Sequence, residues 1–237
     1  MNKEKFLLPG LDKQINFLRK NLTSEISSAL VIGSASEIPA EIISNKFNCK
    51  IEVIVEDYES LLNSRLILSS VPNVNVRLMS FEATDFKENS FDLVYAQASV
   101  SSLNRNKVVK EIKRILKPDG FFCVGEVVTL KKNVPQFVQD IFDASNLLPL
   151  FVDNLEKYYS ERKFILIGRI GLTNTLNEYF LLNKDLLSTS KENLTEREKS
   201  YYKKLLNKIN HESNAYLKLG ADKYIGFISL LLRKGPE

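Results

Sequence analysis

Reactive side chains are scarce in this chain. Histidine occurs once, as His211, and cysteine twice, at Cys49 and Cys123. Both cysteines lie in strand-like surroundings; they read as buried thiols and make neither a disulfide framework nor a metal site. Long hydrophobic runs are also missing. "YIGFISLLL" (224–232) is far shorter than a membrane span, and the apolar part of "MNKEKFLLPGLDKQ" is too short for a signal peptide. No charge sign dominates: 33 Lys and Arg face 29 Asp and Glu, a net +4 with no basic tail. Nucleic acid is therefore not indicated as a partner. No internal repeat or low-complexity tract stands out. The expectation is a soluble, cytoplasmic protein with no membrane partner and no metal.

What is there is a rhythm. At 237 residues the chain is long enough for one substantial core. Short β-branched runs read as strands: "SALVIG" (28–33), "IEVIVE" (51–56), "VNVRLM" (74–79), "FDLVYA" (91–96) and "GFFCVGEVV" (120–128). Between them, 37–47, 58–70 and 106–116 carry apolar residues at helical spacing. In the last of these, Val108, Val109, Ile112 and Leu116 form one stripe while Lys107, Lys110, Lys113 and Arg114 face out. "KPDG" (117–120) then stops the helix and turns the chain. Such alternation predicts an α/β fold, a doubly wound and mostly parallel sheet of about seven strands.

After residue 130 the rhythm changes. Two helical stretches precede a strand at "KFILIGRIG" (163–171), and a polar helical tract follows before the closing strand "KYIGFISLLLRK" (223–234). The predicted division is a sheet domain, 1–172 with 221–237, and a helical insert, 173–220, that acts as a lid or cap.

In an open α/β sheet, ligands bind at the carboxyl ends of the strands. The first such turn is "LVIGSAS" (30–36), where Gly33 permits close backbone approach and Ser34, Ala35 and Ser36 keep the loop slim. A tight turn needing one small residue is the plainer alternative. The second strand ends in Glu56 and Asp57, about 20 residues on, where a doubly wound fold places the acid that takes ribose hydroxyls. Acids at a helix N-terminus suit the dipole in any case. No Gly-rich phosphate grip is present, so a cofactor with a ribose and no phosphate fits better; S-adenosylmethionine is one.

Three stretches in register resemble the class I S-adenosylmethionine-dependent methyltransferases, over roughly residues 28–128. They are "LVIGSAS", "FEATDFKENSFDLVYAQASVSSL" (81–103) and "VVKEIKRILKPDGFFCVGEV" (108–127). The resemblance implies a Rossmann-like sheet whose last strand runs antiparallel, and methyl transfer from S-adenosylmethionine to a small-molecule acceptor. It implies a cofactor site at Gly33, Ser34 and Ala35, with Glu56 or Asp57 as the ribose acid and Glu56 ahead on spacing. Glu82 and Ala83 match the pair beside the adenine. Gln97 and Ala98 end the fourth strand near the methionine portion and the acceptor.

The sequence also departs from that family. Val31 stands where an acid is usual, and Ala35 and Glu37 stand where further glycines are usual. Ser99, Ser101 and Ser102 stand where histidines often follow the fourth strand. No catalytic side chain is singled out, and none is required, because the sulfonium methyl is already activated and the protein mainly positions donor and acceptor. His211 reads first as a solvated helix residue. Tyr158, Tyr159, Tyr201, Tyr202 and Tyr216 read as packing for the insert, with an aromatic acceptor pocket as the other possibility. Two further readings stay open: a scaffold or binding protein that keeps the fold without turnover, and, more weakly, an RNA-modifying enzyme.

Overall fold

A computed structural model describes residues 6–189 and 213–236. An eight-stranded sheet forms its centre, in the order β3-β2-β1-β4-β5-β8-β7, with the two-residue β6 (Leu150–Phe151) beside the end of β5. The strands are β1 (Ser28–Ile32), β2 (Lys50–Val55), β3 (Val74–Leu78), β4 (Phe91–Gln97), β5 (Leu116–Thr129), β7 (Phe164–Gly171) and β8 (Ile225–Lys234). β1 to β5 pair in parallel, whereas β8 runs antiparallel to both β5 and β7. The sheet is thus mostly parallel, as the strand–helix alternation predicts, with the antiparallel last strand that the resemblance implies.

Both faces of the sheet are covered, which explains why its central strands are apolar without alternation. Successive side chains point to opposite faces. Leu30, Ile32, Val94 and Ala96 join one core cluster, with Val108, Val109 and Ile112 of α4 (Arg105–Ile115) and Tyr159 of α6 (Leu155–Ser160). Ala29, Val31, Leu93 and Tyr95 join the other. That second face is covered by Ile15 and Leu18 of α1 (Lys13–Asn21), Ala40 and Ile43 of α2 (Glu37–Phe47), and Leu61 of α3 (Tyr58–Ile67). Cys49 and Cys123 are free and buried; burial pushes their thiols up to about 11 and about 12, so both stay protonated.

Strand–helix alternation does not reveal α1. Its buried face carries only two apolar residues beside Gln14, which is fully buried. The Gln14 amide donates to Ala96 O at 3.0 Å and lies against Gly125, where a Cβ would stand 1.9 Å from Gln14 Oε1. Gly125 is therefore required by close approach. The "KPDG" turn lies inside β5, where the register jumps from Phe91↔Leu116 to Leu93↔Phe121. The chain both ends α4 there and bulges, with Asp119 at φ 58°.

α5 (Gln136–Ala144), α7 (Leu176–Thr189) and a short helix at 213–218 gather at the far end of the sheet. Val138, Phe142, Tyr179, Phe180 and Tyr216 pack there with Phe227 of β8. Residues 190–212 of the expected insert, including Tyr201, Tyr202 and His211, lie outside the described residues. No described helix is long and apolar enough to cross a membrane. Among the described residues no cluster of three or more His, Cys, Asp or Glu could hold a metal ion.

Asp92 joins β1 to β4 at their amino ends. Its Oδ2 accepts from Ser27 N (3.1 Å), Ser28 N (3.0 Å) and both serine hydroxyls, and Lys117 Nζ reaches Oδ1 at 2.8 Å. Burial opposes its charge, but the Lys117, Ser27 and Ser28 bonds outweigh it and hold the carboxyl well below the usual carboxylate range. Asp92→Asn should lower stability by roughly 2 kcal/mol, the scale of hydrogen bonds to a charged group. The folded pKa lies below the unfolded one, so this contribution is full above pH ~4 and fades as pH falls further. Chemical denaturation of wild type and variant should converge below that pH; a gap unchanged down to strongly acid pH would refute the assignment.

Candidate cofactor and acceptor site

Strand order reverses between β1 and β4, and there the ends of the strands open a cavity of about 390 Å³. That is a size suited to a small molecule. Gly33 and Ser34 line it from the first turn, Glu56 and Asp57 from the end of β2, and Gln97 from the end of β4. With Ala98, six sequence-predicted residues are thus brought together. Ala35 is not in the wall; it packs under Leu7 and Leu8. Glu82 and Ala83 are not in the wall either. The Glu82 carboxylate pairs with Lys107 Nζ at 3.0 Å, and Ala83 is exposed.

Gly33 adopts φ +117°, a conformation L residues rarely take, and a Cβ on it would lie 2.9 Å from Ser99 Cβ. Ser99 is fixed in turn, its Oγ donating to Ile32 O at 2.9 Å. Behind the turn, Ser36 Oγ is buried with no hydrogen-bond partner among the described residues.

The two acids after β2 differ. Asp57 is the N-cap of α3, its carboxylate accepting from Ser60 N at 2.8 Å and Ser60 Oγ at 2.6 Å. Ser60 has one hydroxyl proton, and the carboxylate takes it; Ser34 Oγ, 2.9 Å away, therefore donates to Ser60. Glu56 is exposed to the cavity, and its Oε1 accepts from Phe81 N at 2.9 Å. Phe81 itself lines the cavity beside Glu56.

Both amide hydrogens of Gln97 are committed within the protein. Its Oε1 accepts from Tyr95 O–H at 2.6 Å, and its amide donates to Pro9 O at 2.7 Å and Leu11 O at 2.9 Å. It clasps the amino-terminal segment, whose Leu7, Leu8 and Pro9 form one side of the cavity. The apolar "FLLP" was the only signal for that wall.

The opposite end is lined by Ala98, Ser99, Ser101, Ser102, Val127, the 145–147 stretch and Tyr179 of α7. Ser101 Oγ donates to Glu126 at 2.7 Å and accepts from Val127 N at 2.9 Å. Glu126 is fully buried and paired with Arg105 at 3.1 Å.

The departures from the expected motif have packing partners. Val31 is fully buried in the helix-side cluster, and the carboxylate of buried Glu37 accepts from Ser64 Oγ of α3, tying α2 to α3. The residues present fit S-adenosylmethionine: a glycine cradle that a Cβ would close, a carboxylate facing the cavity, and an unpartnered buried hydroxyl beneath the turn.

Residues 25–124 match a family model described as a methyltransferase domain. No curated protein matches the sequence. Several solved structures share the fold. A proposed sarcosine dimethylglycine methyltransferase from Galdieria sulphuraria is 17% identical, with 94% of this chain and 85% of that chain covered at a TM-score of 0.73. The [4+2]-cyclase SpnF is 15% identical, over 95% of this chain and 81% of that one, also at 0.73. Haemonchus contortus phosphoethanolamine N-methyltransferase 2, in complex with S-adenosyl-L-methionine, is 14% identical at a TM-score of 0.74; 95% of this chain matches 53% of that one. At such identities the likeness is one of fold. Beside that likeness stand the methyltransferase-domain match over residues 25–124 and the cavity at the glycine turn.

Proposed function

We propose that the chain transfers the methyl group of S-adenosylmethionine to a small-molecule acceptor. The observation that carries this reading is the single cavity joining the Gly33–Ser34 turn and Glu56 to the serine-lined end beyond β4. In this reading Glu56 takes the ribose hydroxyls, because its carboxylate faces the cavity while that of Asp57 is engaged as a helix cap. Phe81, beside Glu56, serves the adenine in place of Glu82 and Ala83. Gly33 and Ser34 approach the methionine portion, and Gln97 acts by holding the 7–11 segment over it. Of the expected insert, 173–220, the described helix α7 covers the acceptor end in this reading, supported by Tyr179 in the cavity wall; 190–212 lie outside the described residues.

When bound, the cofactor supplies a methyl group already activated for in-line displacement. The chain's task is then to hold the acceptor in line and to keep water out. Cytoplasmic location and the absence of a nucleic-acid partner belong to the same reading; the near balance of charge supports them.

A second reading, a binding protein without turnover, draws on Val31. With no acid there, the cofactor's ammonium group lacks the family's usual partner, and Val31 sits in an apolar cluster where a carboxylate would be desolvated. Calorimetric titration with S-adenosylmethionine and S-adenosylhomocysteine, followed by assay of methyl transfer, separates the two. Saturable binding without transfer to any acceptor favours the second; no saturable binding of either ligand by folded protein defeats the first and leaves a scaffold that keeps the fold without the cofactor.

Glu56→Ala should weaken S-adenosylhomocysteine binding tenfold or more, since two hydrogen bonds to a carboxylate are worth roughly 1.5–3 kcal/mol each and about 1.4 kcal/mol is tenfold. Asp57→Ala should keep most of the affinity and lose about 1 kcal/mol of stability with its cap. The reverse pattern, read by calorimetry and melting, would exchange their roles. Gly33→Ala should remove measurable binding and lower the melting temperature, because the turn cannot keep φ +117° with a Cβ 2.9 Å from Ser99. Unaltered binding would show that the turn does not approach the ligand.

A further inference from the structure

Glu126 of β5 is fully buried, yet four donor groups converge on it from three directions. Arg105 Nε and Nη2 reach it at 3.1–3.2 Å, Tyr159 donates its hydroxyl, and Ser101 Oγ donates at 2.7 Å. Burying an ion pair this deeply is costly, and by itself such a pair is weak evidence of a stabilising role. Arg105 and Tyr159 do not line the cavity, but Ser101 does.

A serine hydroxyl has one proton and two lone pairs. At Ser101 the proton is committed to Glu126, and one lone pair accepts from Val127 N at 2.9 Å. One lone pair is left over, on an oxygen made more negative by the carboxylate behind it, and Ser101 is part of the cavity wall. Rotating the hydroxyl to donate inward would leave a buried carboxylate short of a donor. Ser101 can therefore greet a ligand only as a hydrogen-bond acceptor.

We propose that Ser101 receives a hydrogen bond from the acceptor's reacting atom, so that this end of the cavity selects nucleophiles that carry a hydrogen, O–H or N–H, over those that carry none. Glu126 is a positioning residue, acting through Ser101 by holding its proton away from the cavity. The proposal rests on the methyltransferase reading and names the acceptor class for that same site.

Three probes of nearly one shape test it: 4-nitrophenol (O–H), 4-nitroaniline (N–H) and 4-nitroanisole (neither). Each is titrated into the whole chain saturated with S-adenosylhomocysteine, and binding is read from the probe's own absorption band. At least one hydrogen-bearing probe should bind about tenfold more tightly than the ether, the scale of one hydrogen bond to a polarised acceptor. Whichever binds tighter tells O–H from N–H selection. Bound 4-nitrophenol should also ionise at higher pH than free probe, since a lone pair backed by a carboxylate favours the neutral phenol.

Ser101→Ala should erase both the preference and the ionisation shift, and Ser101→Thr should keep both. Tyr159→Phe removes a Glu126 donor that is not in the cavity wall, so it should lower the melting temperature and leave the preference intact. Equal affinity for the three probes, saturable binding by none, or a preference that survives Ser101→Ala overturns the proposal. If Ser101→Ala does not fold, the wild-type comparison of the three probes still decides. Failure of S-adenosylhomocysteine to bind, measured first, defeats the methyltransferase reading and this proposal with it; binding without discrimination defeats this proposal alone.

Discussion

The parallel pairing of β1 with β4 is the constraint on which the cavity depends. These strands are adjacent in space but about sixty residues apart in sequence, and the order of the sheet reverses between them. A slip of one residue would send Ala29 and Val31 to the face that Leu30 and Ile32 now fill, and both helix layers would lose their fit. The register is held at both ends. At the amino end the Asp92 carboxylate accepts from the Ser27 and Ser28 amides. At the carboxyl end Ser99 Oγ donates to Ile32 O, while Gly33 N–H donates to Ile54 O of β2 at 3.0 Å and fixes the turn on the other side of β1. The second set of bonds shapes the floor of the cavity, so strand register and ligand geometry are parts of one arrangement.

Most of the sheet is legible in the sequence because burial on both faces leaves an unmistakable mark. Runs such as "ALVI" and "LVYA" need no alternation, and their spacing by helical segments dictates parallel crossovers. Gly33 and Glu56 are legible for a related reason, since each follows directly on a strand whose end is easy to locate. Asp57 shows where this reasoning stops. A carboxylate at that position can serve a ligand or cap α3, and only the direction of its side chain toward Ser60 tells which. Glu82 and Ala83 show another limit. In the irregular stretch after β3 no periodicity marks which residue turns inward, and the wall residue is Phe81, one position earlier. The amino-terminal wall was hidden for a third reason: α1 buries a glutamine where an apolar residue would have announced it.

The departures at Val31, Ala35 and Glu37 are not independent losses. Val31 completes an apolar layer with Leu18, Ala40 and Tyr95, where a carboxylate would be left desolvated. Ala35 keeps a positive φ of 60° without being glycine, and its methyl meets Leu7 and Leu8 of the segment that Gln97 clasps. Glu37 ties α2 to α3 through Ser64. The turn has exchanged backbone freedom for side-chain contacts. A turn with fewer conformations in the unligated protein has fewer to lose on binding, which offsets part of what the missing acid would have contributed.

The same economy governs the chemistry. Both thiols are buried and protonated, and Tyr95 and Tyr159 are pushed well above the usual phenol range, Tyr95 by burial and Tyr159 by burial and then by Glu126. Among the described residues, the ionised pair closest behind the acceptor end, Glu126 with Arg105, neutralises itself. What the cavity presents beyond β4 therefore includes oriented neutral dipoles: the Ser99 and Ser101 hydroxyls, whose protons are already assigned, and backbone groups fixed by the sheet. Such a surface can hold a small nucleophile in one orientation, because each dipole is anchored to a strand end and cannot turn to suit a different guest. For a displacement whose methyl group arrives already activated, orientation is the term that remains for the protein to supply.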